Sequence, residues 1–256
     1  MTAILLDIDG VLHVSGEPVP GAAEAVERLR ADGHRLRFVT NNTVRARARL
    51  TAELREIGFR LDEEEIETTP LAAARLLEGK HVLALTMPAI HDDLAQHVEL
   101  VDAEADAVLV GGADESEETR RVFAWERIEA AFAALQAGAR LVCLHRNRWW
   151  TTRSGARLDS GAVVAGLEYA AGVTAEVVGK PSRPFYEAAL KALDARAQDA
   201  VMIGDDVESD VGGAKALGMR GVLVRTGKFE AKSLAAADPK PDAVLDSIAD
   251  LPAFLG

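Results

Sequence analysis

The sequence contains a single cysteine, Cys143, among 256 residues. One cysteine excludes an intramolecular disulfide and any zinc site built from several cysteines. No apolar run reaches the roughly 18 residues that a membrane-spanning helix needs, and the first residues lack the basic region of a signal peptide. We therefore expect a soluble protein of the cytoplasm, with no membrane as a partner.

Positive charge is also scarce. The chain has 29 lysines and arginines against 41 aspartates and glutamates, which gives a formal net charge of −12. Such a chain has no broad basic face, so we expect no nucleic acid partner. A small anionic substrate remains possible where a metal ion or a local lysine neutralises its charge. Hydrophobic residues make up 48% of the chain, enough for a sizeable core.

Short apolar runs alternate with segments of helical period toward both ends of the chain. The pattern predicts strands at 3–7, 35–39, 175–178, 200–203 and 221–224. It predicts helices at 21–33, 44–57, 184–194 and 210–217. Strands that alternate with helices of this length are typical of a parallel sheet with crossover helices.

The middle of the chain has a strand and helix pattern of its own. Strands are predicted at 81–85, 107–110 and 141–144, and helices near 124–137 and 161–171. None of these strands ends in an Asp-x-Asp-Gly sequence. We expect residues 80–176 to form an inserted domain, with residues 1–79 and 177–256 together building the sheet domain.

Polar side chains follow the predicted strands of the sheet domain at the points where those strands end. They are Asp7, Asp9, Thr40, Lys180, Asp205, Asp206 and Asp210. Ligands of an open parallel sheet bind outside the carboxyl ends of its strands, so adjacent strands would bring these groups to one crevice. Carboxylates together with one ammonium group fit a Mg²⁺ site that handles phosphate.

Each of these residues also has an ordinary structural explanation. An aspartate after a strand often caps a helix or a turn, and Gly179-Lys180-Pro181 could be a simple turn. Because all of these polar residues occur in this order, each after a predicted strand, a shared functional site is favoured over a set of unrelated turns. Two nucleotide-binding motifs are excluded. The phosphate-binding P-loop has Ser or Thr after its lysine, whereas Lys180 precedes proline. The dinucleotide-binding sequence Gly-x-Gly-x-x-Gly does not occur.

Four segments carry a family resemblance. They are Asp7-Ile8-Asp9-Gly10-Val11-Leu12, Thr40-Asn41-Asn42, Gly179-Lys180-Pro181, and the stretch from Gly204-Asp205-Asp206 to Asp210. They resemble the four motifs of the haloacid dehalogenase superfamily of phosphatases, and the insertion resembles the large cap of its subclass IIA. The resemblance covers essentially the whole chain. It is strongest to one branch, whose animal members have Ser at the position of Asp9.

The resemblance implies an α/β fold, in which a Rossmann-like, doubly wound parallel-sheet core carries an inserted α/β cap domain that selects the substrate. It implies that Asp7 is the nucleophile, which forms an aspartyl-phosphate. A carboxylate with an ordinary pKa of about 3.9 is ionised at neutral pH and needs no activating base. Asp9, whose carboxylate this chain retains, would be the general acid and base. Lys180 would neutralise negative charge on Asp7 and on the phosphoryl group.

The resemblance also implies Mg²⁺ as the cofactor, held by Asp7, the backbone carbonyl of Asp9 and the side chain of Asp205. Asp206 and Asp210 would lie behind these ligands and orient them. The phosphoryl oxygens would be held by Thr40, Asn41, Asn42 and Lys180. The expected reaction is hydrolysis of a small phosphorylated metabolite, with pyrophosphate or a phosphoamide also open. A phosphomutase, or a non-catalytic binding module on the same fold, is the alternative.

The insertion contains a segment rich in basic and aromatic residues, which includes Arg146, Arg148 and Trp149. One interpretation places these three residues against an anionic substrate. The other places them in a strand end and turn, packed within the insertion or at a dimer contact. By analogy with the family, a homodimer through the cap is also expected.

Overall fold

The computed structural model describes residues 2–152 and 155–256. Its β-strands within those residues are β1 (Ala3–Asp7), β2 (His13–Val14), β3 (Glu17–Pro18), β4 (Arg35–Thr40), β5 (Ile66–Thr68), β6 (His81–Leu85), β7 (Glu99–Leu100), β8 (Ala107–Val110), β9 (Arg140–Cys143), β10 (Trp149–Thr152), β11 (Gly155–Leu158), β12 (Glu176–Val177), β13 (Ala200–Gly204), β14 (Arg220–Val224) and β15 (Ala243–Leu245). Its α-helices are α1 (Ala22–Ala31), α2 (Arg47–Glu56), α3 (Thr69–Leu76), α4 (His91–Ala95), α5 (Glu117–Val122), α6 (Trp125–Gln136), α7 (Gly161–Ala171), α8 (Arg183–Ala192), α9 (Gly213–Ala216), α10 (Ala231–Ala236) and α11 (Leu251–Leu255).

The first of two compact units comprises residues 1–41, 47–68 and 180–256. It contains a six-stranded sheet in the order β15-β14-β13-β1-β4-β5, and every pairing in it is parallel. From β1 the chain proceeds to β4 and β5 on one side, and from β13 to β14 and β15 on the other. The sheet is therefore doubly wound, as predicted, and its strand order reverses between β1 and β13. That point is where such sheets bind ligands.

The core of the first unit lies against this sheet. All five residues of β1 are buried, as expected for a central parallel strand that is covered on both faces. Helix α1 buries Ala22, Ala25, Val26 and Leu29, which recur at the spacing of one helical face. Together with Phe38 of β4, these side chains belong to one continuous hydrophobic cluster.

The second unit comprises residues 42–46 and 69–179. It contains a five-stranded parallel sheet in the order β12-β9-β8-β6-β7 and a hydrophobic cluster of its own. Residues 69–79 belong here because helix α3 packs on helix α4, whereas the sequence places the start of the insertion at 80. An antiparallel hairpin of β10 and β11 also lies in this unit.

Two predicted elements differ from the observed ones. The strand predicted at 175–178 is β12, which pairs with β9 at the edge of the second sheet. The expectation that Lys180 follows a strand of the first sheet is therefore wrong. The helix predicted at 210–217 is instead a π-helical turn, Val207–Gly212, followed by the short helix α9. Among the described residues, no helix combines the length and apolar character needed to cross a membrane.

Candidate active site

The ammonium group of Lys180 contacts two buried carboxylates of the first unit. Its Nζ atom lies 2.8 Å from Oδ1 of Asp7 and 2.7 Å from Oδ1 of Asp210. Asp7 is the last residue of β1, and Asp210 lies in the π-helical turn after β13. Although β12 belongs to the other sheet, the segment before α8 still brings Lys180 to the carboxyl edge of β1. Charge-assisted hydrogen bonds of this length fix the lysine between its two partners.

Asp205 lies close to these carboxylates, and one of its two carboxylate oxygens has no hydrogen-bond partner among the described residues. Its Oδ2 atom accepts a hydrogen bond from the backbone N–H of Lys228 at 2.6 Å. Its Oδ1 atom is buried and has no hydrogen-bond partner among the described residues. A buried carboxylate oxygen without a partner is costly, and a bound cation removes that cost. The carboxylates of Asp7, Asp205 and Asp210 have ligand atoms within 4.8 Å of one another.

This donor set fits a divalent metal ion. Three carboxylates outnumber one ammonium group, so the cluster carries a formal charge of −2. Both oxygens of Asp210 already accept hydrogen bonds, from Lys180 Nζ at 2.7 Å and from the Asp206 N–H at 3.1 Å. Asp7 and Asp205 are therefore the better side-chain ligands, and oxygen donors of this kind suit Mg²⁺.

The electrostatics of the cluster follow from its burial. Burial raises the pKa of Asp7 well above its ordinary value, while Lys180 acts in the opposite direction. Burial likewise raises the pKa of Asp205. Burial alone would lower the pKa of Lys180, but Asp210 and Asp7 raise it above the usual lysine value. The lysine is therefore a permanent cation beside Asp7.

Asp9 lies in a more open environment than Asp7. Its side chain is 47% exposed, and its Oδ2 atom accepts a hydrogen bond from Thr40 Oγ1 at 3.2 Å. Thr40 is the last residue of β4, the neighbour of β1, and is fully buried. A carboxyl group that is held by one donor and reaches solvent can exchange protons with a substrate or with water.

The side chains of Asn41 and Asn42 bind backbone groups. The amide of Asn41 donates to the carbonyl of Lys180 at 3.0 Å and accepts from the N–H of Lys180 at 2.8 Å. This reciprocal pair connects the end of β4 to the lysine. Oδ1 of Asn42 accepts from the N–H groups of Val44 and Arg45, so this side chain shapes the turn before α2.

Asp206 points into its own turn. Its Oδ1 atom accepts hydrogen bonds from the N–H groups of Glu208 and Ser209, at 2.9 and 3.0 Å. It therefore caps the π-helical turn that carries Asp210. Tyr186 of α8 donates its hydroxyl proton to the carbonyl of Ser209 at 2.6 Å, which anchors the same turn.

One contributor to the site was not predicted from the sequence, namely the loop formed by Thr226, Gly227 and Lys228. The hydroxyl of Thr226 donates to the carbonyl of Gly10, and the Lys228 N–H binds Asp205. A β-carbon on Gly10 would lie 1.8 Å from Asp205 Oδ2, and one on Gly227 would lie 1.9 Å from it. The two glycines leave the room that the Asp205 carboxylate occupies. Only the glycine of the Asp-x-Asp-Gly motif was visible from the sequence.

The basic and aromatic residues singled out in the insertion lie in the second unit. Arg146 donates to Glu168 Oε2 at 2.6 Å, so its charge is paired within that unit. Trp149 begins the β10 strand and is 55% exposed. Arg148 is exposed, and its carbonyl accepts the N–H of Asp159. Cys143 is buried in β9 as a small apolar residue, and burial raises the pKa of its thiol to about 11.

The chain is similar to known proteins over most of its length. A family model described as haloacid dehalogenase-like hydrolase matches residues 4–104, and a related HAD-hydrolase-like model matches residues 177–251. Haloacid dehalogenase-like hydrolase domain-containing protein 2 of Mus musculus is 38% identical over 243 residues, covering 94% of this chain and 90% of its own length.

Two further proteins are similar over almost their whole length. Human phospholysine phosphohistidine inorganic pyrophosphate phosphatase is 37% identical over 254 residues, covering 96% of this chain and 91% of its own. The structure of p-nitrophenyl phosphatase from Archaeoglobus fulgidus superposes with a TM-score of 0.87 at 29% identity, covering 99% of this chain and 98% of that one. The family and branch expected from the motifs are confirmed. The chain therefore belongs to the haloacid dehalogenase-like hydrolase family, among the phosphatases of its subclass IIA.

Proposed function

We propose that this chain is a Mg²⁺-dependent phosphatase, which hydrolyses a small phosphorylated metabolite through an aspartyl-phosphate at Asp7. The observation that carries the proposal is the buried contact of Lys180 with Asp7 and Asp210. Asp205 stands beside it with an unpartnered oxygen, and the half-exposed Asp9 lies two residues from Asp7 along the chain.

In the first step, an oxygen of Asp7 attacks the phosphorus in line with the leaving group. A new Asp7 O–P bond forms while the ester P–O bond breaks, and the electron pair of the broken bond goes to the leaving oxygen. Asp9 donates its proton to that oxygen and becomes a carboxylate. Lys180 remains positively charged throughout, and so offsets negative charge on Asp7 and on the transferring phosphoryl group.

In the second step, Asp9 acts in the opposite sense. Its carboxylate removes a proton from a water molecule, whose oxygen attacks the phosphorus. The Asp7 O–P bond breaks, the electron pair returns to the carboxylate of Asp7, and inorganic phosphate leaves. Thr40 holds Asp9 by its Oδ2 atom, which supports both proton transfers from one position. Thr40 and the backbone at Asn41 and Asn42 are the proposed contacts of the phosphoryl oxygens.

Asp7, Asp205 and the backbone carbonyl of Asp9 would hold Mg²⁺. When bound, the ion supplies positive charge to the phosphoryl oxygens and lowers the repulsion between Asp7 and an anionic substrate. The charge of −2 on the cluster and the unpartnered oxygen of Asp205 support this assignment. Asp206 and Asp210 orient the turn and the lysine behind these ligands.

We further propose that the second unit acts as the cap that selects the substrate, with Arg146, Arg148 and Trp149 as candidate determinants. The name of the human relative, phospholysine phosphohistidine inorganic pyrophosphate phosphatase, supports testing pyrophosphate and phosphoamides beside phosphate monoesters. The exposed aromatic residues Trp125 and Tyr169 of this unit support a homodimer, which light scattering after size exclusion would test. A cytoplasmic location stays a prediction.

The first experiment is hydrolysis of p-nitrophenyl phosphate by the wild type and Asp7→Asn, each with Mg²⁺ and with EDTA. The matched control is Asp199→Asn, an aspartate of the same unit that pairs with Arg196 away from the cluster. We expect Asp7→Asn to lower turnover by about 10³-fold or more, since it removes the nucleophile. EDTA should abolish wild-type turnover, and the control should retain it.

The proposed covalent intermediate leads to a second, independent prediction, which concerns the time course of product release. If hydrolysis of the aspartyl-phosphate limits turnover, p-nitrophenol should appear in a burst of about one equivalent per active site. Turnover by Asp7→Asn at the wild-type rate would refute the nucleophile assignment. Failure of the wild type to hydrolyse p-nitrophenyl phosphate, pyrophosphate and a panel of metabolite monoesters would favour the alternative, a binding module on the same fold.

A further inference from the structure

His13 lies next to Asp9 in a position that no motif of the sequence specifies. It begins the β2 strand of the short hairpin that follows the Asp-x-Asp-Gly segment. Its carbonyl accepts the N–H of Gly10 at 2.7 Å, and its backbone forms a bridge with Asp9. The side chain is only 15% exposed. The hairpin therefore holds the imidazole at a fixed place relative to Asp9.

The hydrogen bonds of the ring determine which nitrogen carries the proton. The backbone N–H of Gly16 donates to Nδ1 of His13 at 3.3 Å. A nitrogen that accepts a hydrogen bond has no proton of its own, so the neutral ring carries its proton on Nε2. That N–H lies on the side of Asp9, with Nε2 at 3.8 Å from Asp9 Oδ1.

The two oxygens of Asp9 thus face different donors. Thr40 Oγ1 already bonds Oδ2 at 3.2 Å, while His13 Nε2 stands just beyond hydrogen-bond distance of Oδ1. A shift of less than 1 Å would close that gap to an ordinary hydrogen bond. The carboxylate form of Asp9 gains most from a second N–H donor, because a hydrogen bond to an ionised acceptor is the stronger kind.

We propose that His13 is a positioning residue, which orients the carboxyl group of Asp9 and stabilises the carboxylate that forms when Asp9 protonates the leaving group. The inference rests on the function proposed above. In the step concerned, the Asp9 proton moves to the leaving oxygen as the ester P–O bond breaks and the Asp7 O–P bond forms. His13 keeps its own proton and donates a hydrogen bond to the new carboxylate.

The test compares two aryl phosphates whose leaving groups differ in their need for a proton. Phenol is a weaker acid than p-nitrophenol, so the departure of phenoxide depends much more on Asp9. The quantity to measure is kcat/KM, which reports the steps up to the first irreversible bond cleavage and is blind to hydrolysis of the intermediate. The variants are His13→Ala, His13→Gln and the control His34→Ala. His34 also accepts a backbone N–H through Nδ1, but from Thr2.

We expect His13→Ala to lower kcat/KM for phenyl phosphate roughly tenfold more than for p-nitrophenyl phosphate, a fraction of the 10²–10⁴ that general acid catalysis contributes. His13→Gln retains an N–H donor and should recover part of the loss on phenyl phosphate. His34→Ala should leave the ratio of the two esters unchanged. Melting temperatures of all variants identify any loss that comes from unfolding.

Equal losses on both esters would overturn the inference, because a purely structural role does not depend on the leaving group. An unchanged kcat/KM for phenyl phosphate in His13→Ala would overturn it as well. If His13→Ala does not fold, the ratio for His13→Gln against the wild type decides instead. The proposed function fails separately, through full activity of Asp7→Asn or through a wild type inactive on every ester.

Discussion

At the scale of single residues, Gly10 offers a direct test of how the Asp205 carboxylate is accommodated. Gly10 and Gly16 both have a φ of +88°, but only the β-carbon of an alanine at position 10 would meet a neighbour, Asp205 Oδ2 at 1.8 Å. Each substitution forces alanine into the left-handed region, at a cost of about 1–2 kcal/mol. Gly10→Ala must in addition displace Asp205.

We therefore expect Gly16→Ala to lower stability by about 1–2 kcal/mol and to leave Mg²⁺ binding unchanged. Gly10→Ala should lower stability more and weaken Mg²⁺ binding by at least about tenfold, which corresponds to about 1.4 kcal/mol. Urea unfolding and calorimetric titration with Mg²⁺ measure the two effects. Equal Mg²⁺ affinities in the two variants would show that Asp205 does not bind the ion.

The second prediction at the residue scale concerns Asn41. Its amide holds both the N–H and the carbonyl of Lys180, while the family resemblance assigns the backbone of Asn41 to the phosphoryl oxygens. Asn41→Ala removes both bonds and should let Lys180 move from Asp7, which lowers kcat roughly tenfold while the fold persists. Steady-state kinetics and circular dichroism check this. A variant whose KM rises while its kcat is unchanged would favour a role in binding only.

The residues that sequence reasoning missed differ from those it found in one physical respect. Asp7, Lys180, Asp205 and Asp210 carry charges whose chemistry is visible in the sequence, and the structure brings them together. Thr226 acts through its hydroxyl, which donates to the backbone carbonyl of Gly10. Lys228 acts through its backbone N–H, which donates to Asp205. Every residue except proline supplies a backbone N–H, so the identity of Lys228 is not a signal, and only the fold places the loop beside Asp205.

At the scale of elements, most of the strands and helices that hydrophobic periodicity predicts are present, and the two that differ have physical reasons. The segment 175–178 is apolar and short, and such a run does not reveal which sheet it joins. Its pairing with β9 depends on contacts far away in the sequence. The turn Val207–Gly212 is π-helical where an α-helix was expected, with Asp206 accepting two of its N–H groups and Asp210 turned to Lys180.

Asp242 illustrates how one side chain joins three elements of the first unit. Its Oδ1 atom binds Lys215 Nζ of α9 at 2.7 Å, and its Oδ2 atom accepts the N–H of Gly221 in β14 at 2.7 Å. Strand β15 begins at the next residue. Although partial burial would raise the pKa of Asp242, the bonds from Lys215 and Gly221 lower it below its ordinary value.

A depressed pKa in the folded state means that the ionised form of Asp242 stabilises the fold. This contribution is fully present above the ordinary aspartate pKa of about 3.9 and is lost as the pH falls through the lower, folded-state value. Asp242→Asn should lower the free energy of unfolding by about 1 kcal/mol at pH 7, and the difference should shrink as the pH falls below about 3.9. Urea unfolding from pH 7 to pH 3 measures it.

The control for this prediction is Asp246→Asn. Asp246 follows the other end of β15 and forms an ion pair with Arg225 at 3.3 Å, but its side chain is 90% exposed. An ion pair in solvent contributes little to stability, so the control should change it by less than about 0.5 kcal/mol at any pH. A loss in Asp242→Asn that is as large at pH 3 as at pH 7 would mean that the charge of Asp242 is not its cause.

At the scale of the whole molecule, the two units have separate parallel sheets and separate hydrophobic clusters. The first unit contains the whole carboxylate cluster with Lys180, since residues 1–41, 47–68 and 180–256 supply every member. A ligand stabilises the unit to which it binds, by an amount set by its concentration relative to its Kd. Mg²⁺ should therefore act on the unfolding of one unit and not of the other.

Differential scanning calorimetry tests this division. We expect two unfolding transitions, with saturating Mg²⁺ raising the midpoint of only one. At a concentration of about 100 times Kd, the added stability of that unit is about 2.7 kcal/mol. A fragment of residues 69–179, which contains all five strands of the second sheet, identifies the other transition, since its own midpoint should match it and should not respond to Mg²⁺.

Asp205→Asn in the full chain should abolish the shift, because it removes a ligand charge while preserving the bond to the Lys228 N–H. A single transition that shifts as a whole with Mg²⁺ would mean that the units unfold as one, and a shift that survives in Asp205→Asn would place the ion elsewhere.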